Sequence, residues 1–288
     1  MAKLPLKMPD AVTGKLPASL GGEESGVVPV VRIEGVIASG GTGLGRSTVN
    51  VDTVEHPLHR AFTTKGAKAV ALSINSPGGS PTQCEYLAAR IRQLADEHEV
   101  PVLAFCEDVA ASGGYWLACA ADEIYATATS MVGSIGVVSA GFGFTDLLGN
   151  LGVERRLYTA GDAKARLDPF VPENPDDIAW LTDVQSGIHA EFRDWVIARR
   201  PAISAADTDL FTGDLWLGRE AHRRGLIDGI GTLRAVVEEK YPGAKVAVTG
   251  PRRSLFARLG LPSAGVDGVV ESIVGAAHTR MAWARYGR

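Results

Sequence analysis

Ile74-Asn75-Ser76-Pro77-Gly78-Gly79 closes one apolar run, Ala69–Ile74, and Asp108-Val109-Ala110-Ala111-Ser112-Gly113-Gly114-Tyr115 follows a second, Val102–Phe105. Both runs are short, uncharged and bounded by turn residues, the pattern of strands buried on both faces. Each turn leads into a helix. Ser80 and Pro81 read as N-cap and first helical residue, and Cys84, Leu87, Ala88, Ile91, Leu94 and Ala95 repeat at helical spacing. The second turn opens a small-residue helix, Gly114–Ala121, followed by a strand at Glu123–Thr127. Strand, helix, strand, helix, strand in this order predicts an α/β fold with a mostly parallel sheet. A glycine turn after a buried strand can aim backbone N–H groups at one point, and a serine on the neighbouring turn can present its hydroxyl there. Neither turn means much alone, because Pro-Gly-Gly and Ser-Gly-Gly are common loop chemistry. Their pairing on adjacent strands outlines a nucleophile facing an oxyanion hole.

Working outward, Val27–Ile37 is dense in β-branched residues and reads as a strand, with Pro29 marking an edge or a start. A glycine-rich loop, Gly40–Gly45, leads to a helical segment at Asp52–Phe62. Downstream, Ile124–Thr145 carries no charge over 22 residues, long enough to span a bilayer, but ten of them are Gly, Ser or Thr, so buried loop and strand is expected. A helix near Thr145–Leu151 and a strand at Glu154–Tyr158 are expected next. Pro175-Asp176-Asp177 starts a long helix whose Ile178, Leu181, Val184, Ile188, Phe192 and Val196 form one stripe, expected to pack on the core, with a subunit contact as its other use. Arg219–Gly231 reads as loop, short helix and turn, before a last strand at Lys245–Val248.

A chain of 288 residues that is 45% hydrophobic can bury a sizeable core without staples. Its net charge of −4 gives no footprint for nucleic acid. Cys84, Cys106 and Cys119 form no CxxC pair and are odd in number, so no disulfide framework or metal site is expected, and each reads as a small buried hydrophobe. A reduced, cytoplasmic compartment follows from that usage. Met1–Gly22 has lysines at 3, 7 and 15 and prolines at 5, 9 and 17 but no apolar h-region, and reads as a flexible lead-in. Beyond Pro251, six arginines face only Asp267 and Glu271, which predicts a solvated basic face, or peripheral contact with the inner face of a membrane or an acidic partner.

A serine hydroxyl attacks only when a neighbouring base takes its proton. None of the six histidines (56, 59, 98, 189, 222 and 278) lies between Ser112 and the long helix or in a motif-like context, although a triad assembled in space stays open. Lysines after Ser112 are Lys164, Lys240 and Lys245, and Lys164 sits in the small-residue loop Ala160-Gly161-Asp162-Ala163-Lys164-Ala165-Arg166. To act as a base, a lysine must be neutral, which burial brings about by pulling its pKa from about 10.4 towards 7 or 8.

Five ordered blocks then resemble the signal peptide peptidase A (protease IV) family. They are Ile74–Gly79, Ala110–Trp116, Ala121-Asp122-Glu123-Ile124, Gly133-Ser134-Ile135-Gly136-Val137 and Gly225–Gly231. The resemblance implies a Clp/crotonase-like fold of stacked ββα units and a serine endopeptidase with a Ser-Lys dyad that needs no cofactor or metal. On these positions it implies Ser112 as nucleophile, Lys164 as base, Ser134 as the serine that hydrogen-bonds the lysine, and the N–H groups of Gly79 and Gly113 as the oxyanion hole. The family's lysine usually follows an aromatic residue and precedes an acidic one, whereas Ala163 and Ala165 flank it here. The implied organisation is a flexible segment at 1–25, a peptidase domain at 26–248 and a basic helical tail at 249–288. Short relatives form rings in which neighbouring subunits supply serine and lysine, so a homo-oligomer, with an octamer as one expectation, and a peptide substrate are implied. Two rivals share the architecture. A crotonase-type acyl-CoA enzyme would want a carboxylate within Ser130–Ser139, which has none, and a ring-forming scaffold would lack turnover altogether.

Overall fold

Runs of valine, isoleucine and alanine without charge form the middle of a sheet covered on both faces, where alternation with polar residues would leave them unsatisfied. The computed structural model describes residues 26–40, 48–204, 206–249, 283, 284 and 286. The expected lead-in at 1–25, most of the Gly40–Gly45 loop and nearly all of 249–288 lie outside the described residues. Those described divide into two compact units, one running to Gly133 and resuming at Leu215, the other Ser134–Asp214. The 26–248 stretch, expected as one domain, therefore contains both.

The first unit holds β1 (Val27–Glu34), α1 (Val51–Phe62), β2 (Val70–Ser76), α2 (Pro81–His98), β3 (Val102–Ala111), α3 (Gly113–Ala118), β4 (Glu123–Ala126) and β5 (Met131–Gly133). Among the described residues its sheet runs β6-β5-β3-β2-β1-β8, with β4 joining β3 to β7. Here β6 is Leu215–Leu217, β7 is Gly229–Ile230 and β8 is Lys245–Val248. All pairings are parallel except β5 with β6. The α/β class and the mostly parallel sheet are those the sequence predicts. Asn50 caps α1 reciprocally with Thr53, while α2 begins at Pro81 with Ser80 in the cap position.

β3 is longer than the apolar run Val102–Phe105 suggests, because Glu107 and Asp108 interrupt it without ending it. Leu103–Cys106 pair with β4, and Val109–Ala111 pair with β5. On the other side, Ile74 faces Cys106 but Ser76 already faces Ala110, so β3 carries two extra residues at that point. The Asn75 side chain holds this bulge, donating to Asp108 Oδ2 at 3.2 Å and accepting from Val109 N at 3.3 Å. Ser73 Oγ donates to Glu107 in the same place. Bulges re-aim the strand beyond them, and here the strand beyond leads straight to Ser112.

In the second unit lie α4 (Thr145–Asn150), α5 (Pro175–Arg199) and a 3₁₀ turn at Thr208–Phe211. Three expectations need correction there. The strand expected at Glu154–Tyr158 is absent: those residues are exposed and pair with no strand, and a segment without a neighbour has nothing to receive its ladder bonds. The uncharged run is buried only as far as Ile135, and beyond it Val138 and Phe142 are 72% and 71% exposed. The α5 stripe is buried only at Phe192 and Val196, whereas Ile178 and Val184 are 43% and 38% exposed. Its leading half packs on no core.

Candidate active site

Ser112 stands between β3 and α3 with φ 51° and ψ −121°. Few L-residues adopt that combination, and such strain persists only where the surroundings impose it. The imposing contacts are close. Ser112 N donates to Gly133 O at 2.8 Å, and Ser112 O accepts from Trp116 N at 2.9 Å. Behind it, Tyr115 is fully buried and donates its hydroxyl to Leu226 O at 2.7 Å, which anchors the short helix. Ser112 occupies the N-cap of α3, yet its side chain makes no capping bond. It is half-buried.

The glycine turn lies directly against it. Gly78 has φ 101°, and a Cβ there would come within 2.7 Å of Ser112 Cβ and 2.8 Å of Gly113 N. Only glycine lets this backbone approach so near. Gly113 is equally confined, since a Cβ on it would meet Cys84 Sγ at 2.4 Å and Gly79 N at 3.3 Å. Ser76, fully buried, accepts from Gly78 N through its hydroxyl at 3.1 Å and closes the turn. Ile37 bridges to Gly79 by donating to Gly78 O and accepting from Ser80 N, at 2.9 and 2.8 Å. In a parallel bridge of that pattern, the N–H of Gly79 itself points away from Ile37. Gly113 N is among the first helical donors, which have no partner inside their own helix. The backbones of Ser112, Gly78, Gly79 and Gly113 thus lie close together.

Cys84 forms the floor under Gly113. Burial pushes its thiol up to about 12, so it is protonated at neutral pH and inert. Cys106 and Cys119 are buried too. Native protein treated with iodoacetamide at neutral pH is expected to stay unmodified at all three, and denatured protein to react at all three, as read by intact mass. Native alkylation of Cys84 would mean that the floor opens.

Ser134 and Lys164 belong to the second unit. Ser134 directly follows Gly133, is buried, and has φ 54° with its N–H donating to Asp214 O at 2.7 Å. Lys164 is exposed in a turn, its N–H donating to Gly161 O at 3.2 Å. The flanks of that turn are pinned. Arg155 pairs with Asp168 at 2.6 Å and lies over the Phe170 ring, and Arg166 pairs with Asp177 at 3.4 Å and lies over Trp180. Asp168 titrates below the usual carboxylate range, chiefly because Phe170 N donates to it and then because Arg155 does. The sequence reading missed Asn75 and the Glu107-Asp108 bulge that aim the serine. The available signal was two acidic residues inside an otherwise apolar strand.

Residues 95–247, rather more than half of the chain, match the family model described as Peptidase family S49, and that stretch contains Ser112, Ser134 and Lys164. A Brucella abortus (strain 2308) protein named Na(+)/H(+) antiporter NhaA is 48% identical over 272 residues, 90% of this chain and 37% of that protein. Serine protease SPPA, chloroplastic, of Arabidopsis thaliana is 27% identical over 255 residues, 87% of this chain and 36% of the relative. Protease 4 of Haemophilus influenzae is 29% identical over 214 residues, 74% of this chain and 34% of the relative. The chain therefore spans little more than a third of the length of these relatives. Among the described residues no helix is long and apolar enough to cross a membrane. With the match covering the strand that leads to Ser112 and the segment that holds Lys164, the chain belongs to Peptidase family S49.

Proposed function

We propose that the chain is a serine endopeptidase acting on short peptides or unfolded polypeptides. Ser112 Oγ attacks the scissile carbonyl carbon and its proton passes to Lys164. The carbonyl oxygen, now an anion, accepts from the N–H groups of Gly79 and Gly113. Collapse of the tetrahedral species expels the amine, which takes the proton back from Lys164, and water then hydrolyses the acyl-serine. Ser134 holds the lysine amine in line. One observation carries this reading: a serine forced to φ 51° at a strand-to-helix turn, its hydroxyl spared from capping, with a glycine turn packed against its Cβ. Losing one oxyanion donor typically costs about 2.7 to 4 kcal/mol of barrier.

The lysine's exposure supports an assembly in which a neighbouring copy supplies it. A base needs shielding from water, and Lys164 has none in its own unit. The same unit exposes Phe142, Ile178, Trp180 and Val184, apolar surface that a second copy would cover. A homo-oligomeric ring with a shared dyad accounts for both features. The test is titration with a fluorophosphonate on the assembled protein, followed by peptide mapping. One adduct per chain, on Ser112, is expected. An adduct elsewhere, or none on a folded oligomer, returns the chain to the scaffold reading.

A further inference from the structure

The serine turn and the glycine turn meet only because β3 is out of step with β2. Counting on from Ile74 opposite Cys106, a regular parallel pair would set Gly78 opposite Ala110 and Ser112 opposite Ser80. At about 3.3 Å per residue, that would carry Ser112 roughly 6 to 7 Å beyond the glycine turn. The two extra residues of the bulge take up that length. Ser76 already faces Ala110, and Ser112 Cβ lies 2.7 Å from where a Cβ on Gly78 would stand. The place of the serine along its strand is therefore set at residues 107–109, several positions before Ser112 itself.

Asn75 holds the bulge from outside it. Its backbone is tied to β1, facing Glu34 and accepting from Gly35 N at 3.0 Å, so its place does not depend on β3. Its side chain then meets the bulge at two points: Oδ1 accepts from Val109 N at 3.3 Å, and Nδ2 donates to Asp108 Oδ2 at 3.2 Å. Val109 is fully buried, and a buried N–H displaced from its ladder needs another acceptor. Ser73, two residues earlier on the same strand, donates to Glu107 and supports the same bend. Resting on the reading of Ser112 as nucleophile, we infer that Asn75 is a positioning residue for the peptidase reaction. It holds β3 two residues back, so that the serine hydroxyl falls beside the N–H groups of Gly79 and Gly113. Its effect on the barrier passes through the register of one strand.

A misplacement of about 1 Å at the reacting atoms costs on the order of a hundred-fold in rate. In the full chain, Asn75→Ala is expected to lower kcat by about that factor and to leave KM nearly unchanged, because the interaction lost is one made in the transition state. A peptide aldehyde, whose oxygen enters the oxyanion site once Ser112 Oγ has added to it, should lose affinity by the same factor as kcat/KM. Asn75→Asp sets a carboxylate against that of Asp108 and is expected to do no better than the alanine variant. Adding Asp108→Asn to it restores the bond with donor and acceptor exchanged, and is expected to bring kcat back to within several-fold of wild type. A side chain serving stability alone would shift the urea midpoint in these variants while the folded protein kept its kcat. Wild-type kcat in folded Asn75→Ala, or no recovery in the doubly substituted chain, overturns the proposal. Should Asn75→Ala fail to fold, Asn75→Asp with and without Asp108→Asn decides. Fluorophosphonate separates this inference from the reading beneath it. Slower labelling of Ser112 in Asn75→Ala than in wild type supports the positioning role, and equal labelling ends that role while Ser112 stays the nucleophile. No labelling of the wild-type protein ends the catalytic reading and the positioning role with it.

Discussion

Ser112→Ala is expected to lower peptide turnover on the order of a million-fold, the scale of loss when a nucleophile that works as a unit with its base is removed. It should abolish fluorophosphonate labelling while the state of assembly and the circular dichroism stay those of the wild type. A second variant separates chemistry from strain. Ser112 holds φ 51° and ψ −121°, a conformation that costs an L-residue about 1–3 kcal/mol. Alanine inherits that strain, while glycine escapes it at an entropic cost of about 0.5–1 kcal/mol. Ser112→Gly should therefore be equally dead but more stable than Ser112→Ala by roughly 1 kcal/mol, measured by urea denaturation of the two. Equal stabilities would show that the surroundings do not force the turn. Residual turnover within ten-fold of wild type in either variant would remove Ser112 from the chemistry.

The central strands were legible because a strand buried on both faces has a local signature: short, apolar, β-branched and bounded by turns. Ala69–Ile74 and Val102–Phe105 show it, and β2 and β3 form there. Their ends were not legible. β3 runs on to Ala111 through Glu107 and Asp108, and two charges look like a strand's end when read alone. They are tolerated because Ser73 and Asn75 reach them from β2, a contact between residues more than thirty positions apart. The converse failure is Glu154–Tyr158, which was expected as a strand and finds no partner. Pairing is a tertiary property that a segment's own residues do not state. At the candidate site, the serine turn and the glycine turn beside it were readable because both occupy positions where only particular backbones fit. Lys164 carries no such mark: nothing in Ala163-Lys164-Ala165 states what covers it. The α5 stripe shows the same limit, since an apolar face signals burial without saying which molecule provides the cover.

Lys164→Ala is expected to reduce turnover by roughly a hundred- to ten-thousand-fold, the range for loss of a general base. Stability should be nearly unchanged, because the side chain is exposed and its turn is held by the pairs Arg155–Asp168 and Arg166–Asp177 rather than by the lysine. Lys164→Arg should be as inactive as the alanine variant, since a guanidinium stays charged and takes no proton. Mixing distinguishes a dyad within one chain from one shared between chains. Co-refolding Ser112→Ala with Lys164→Ala in equal amounts leaves every chain with one defect, so a dyad confined to one chain gives no active site in any mixture. If neighbours supply the two groups, a site works wherever an intact serine meets an intact lysine, and random assembly recovers about a quarter of wild-type activity in a cyclic ring. Recovery near that value, appearing only after dissociation and reassembly, is the expected result. A mixture as inactive as its parents, with both variants shown to co-assemble, places Ser112 and its base in the same chain and removes the reason for a ring.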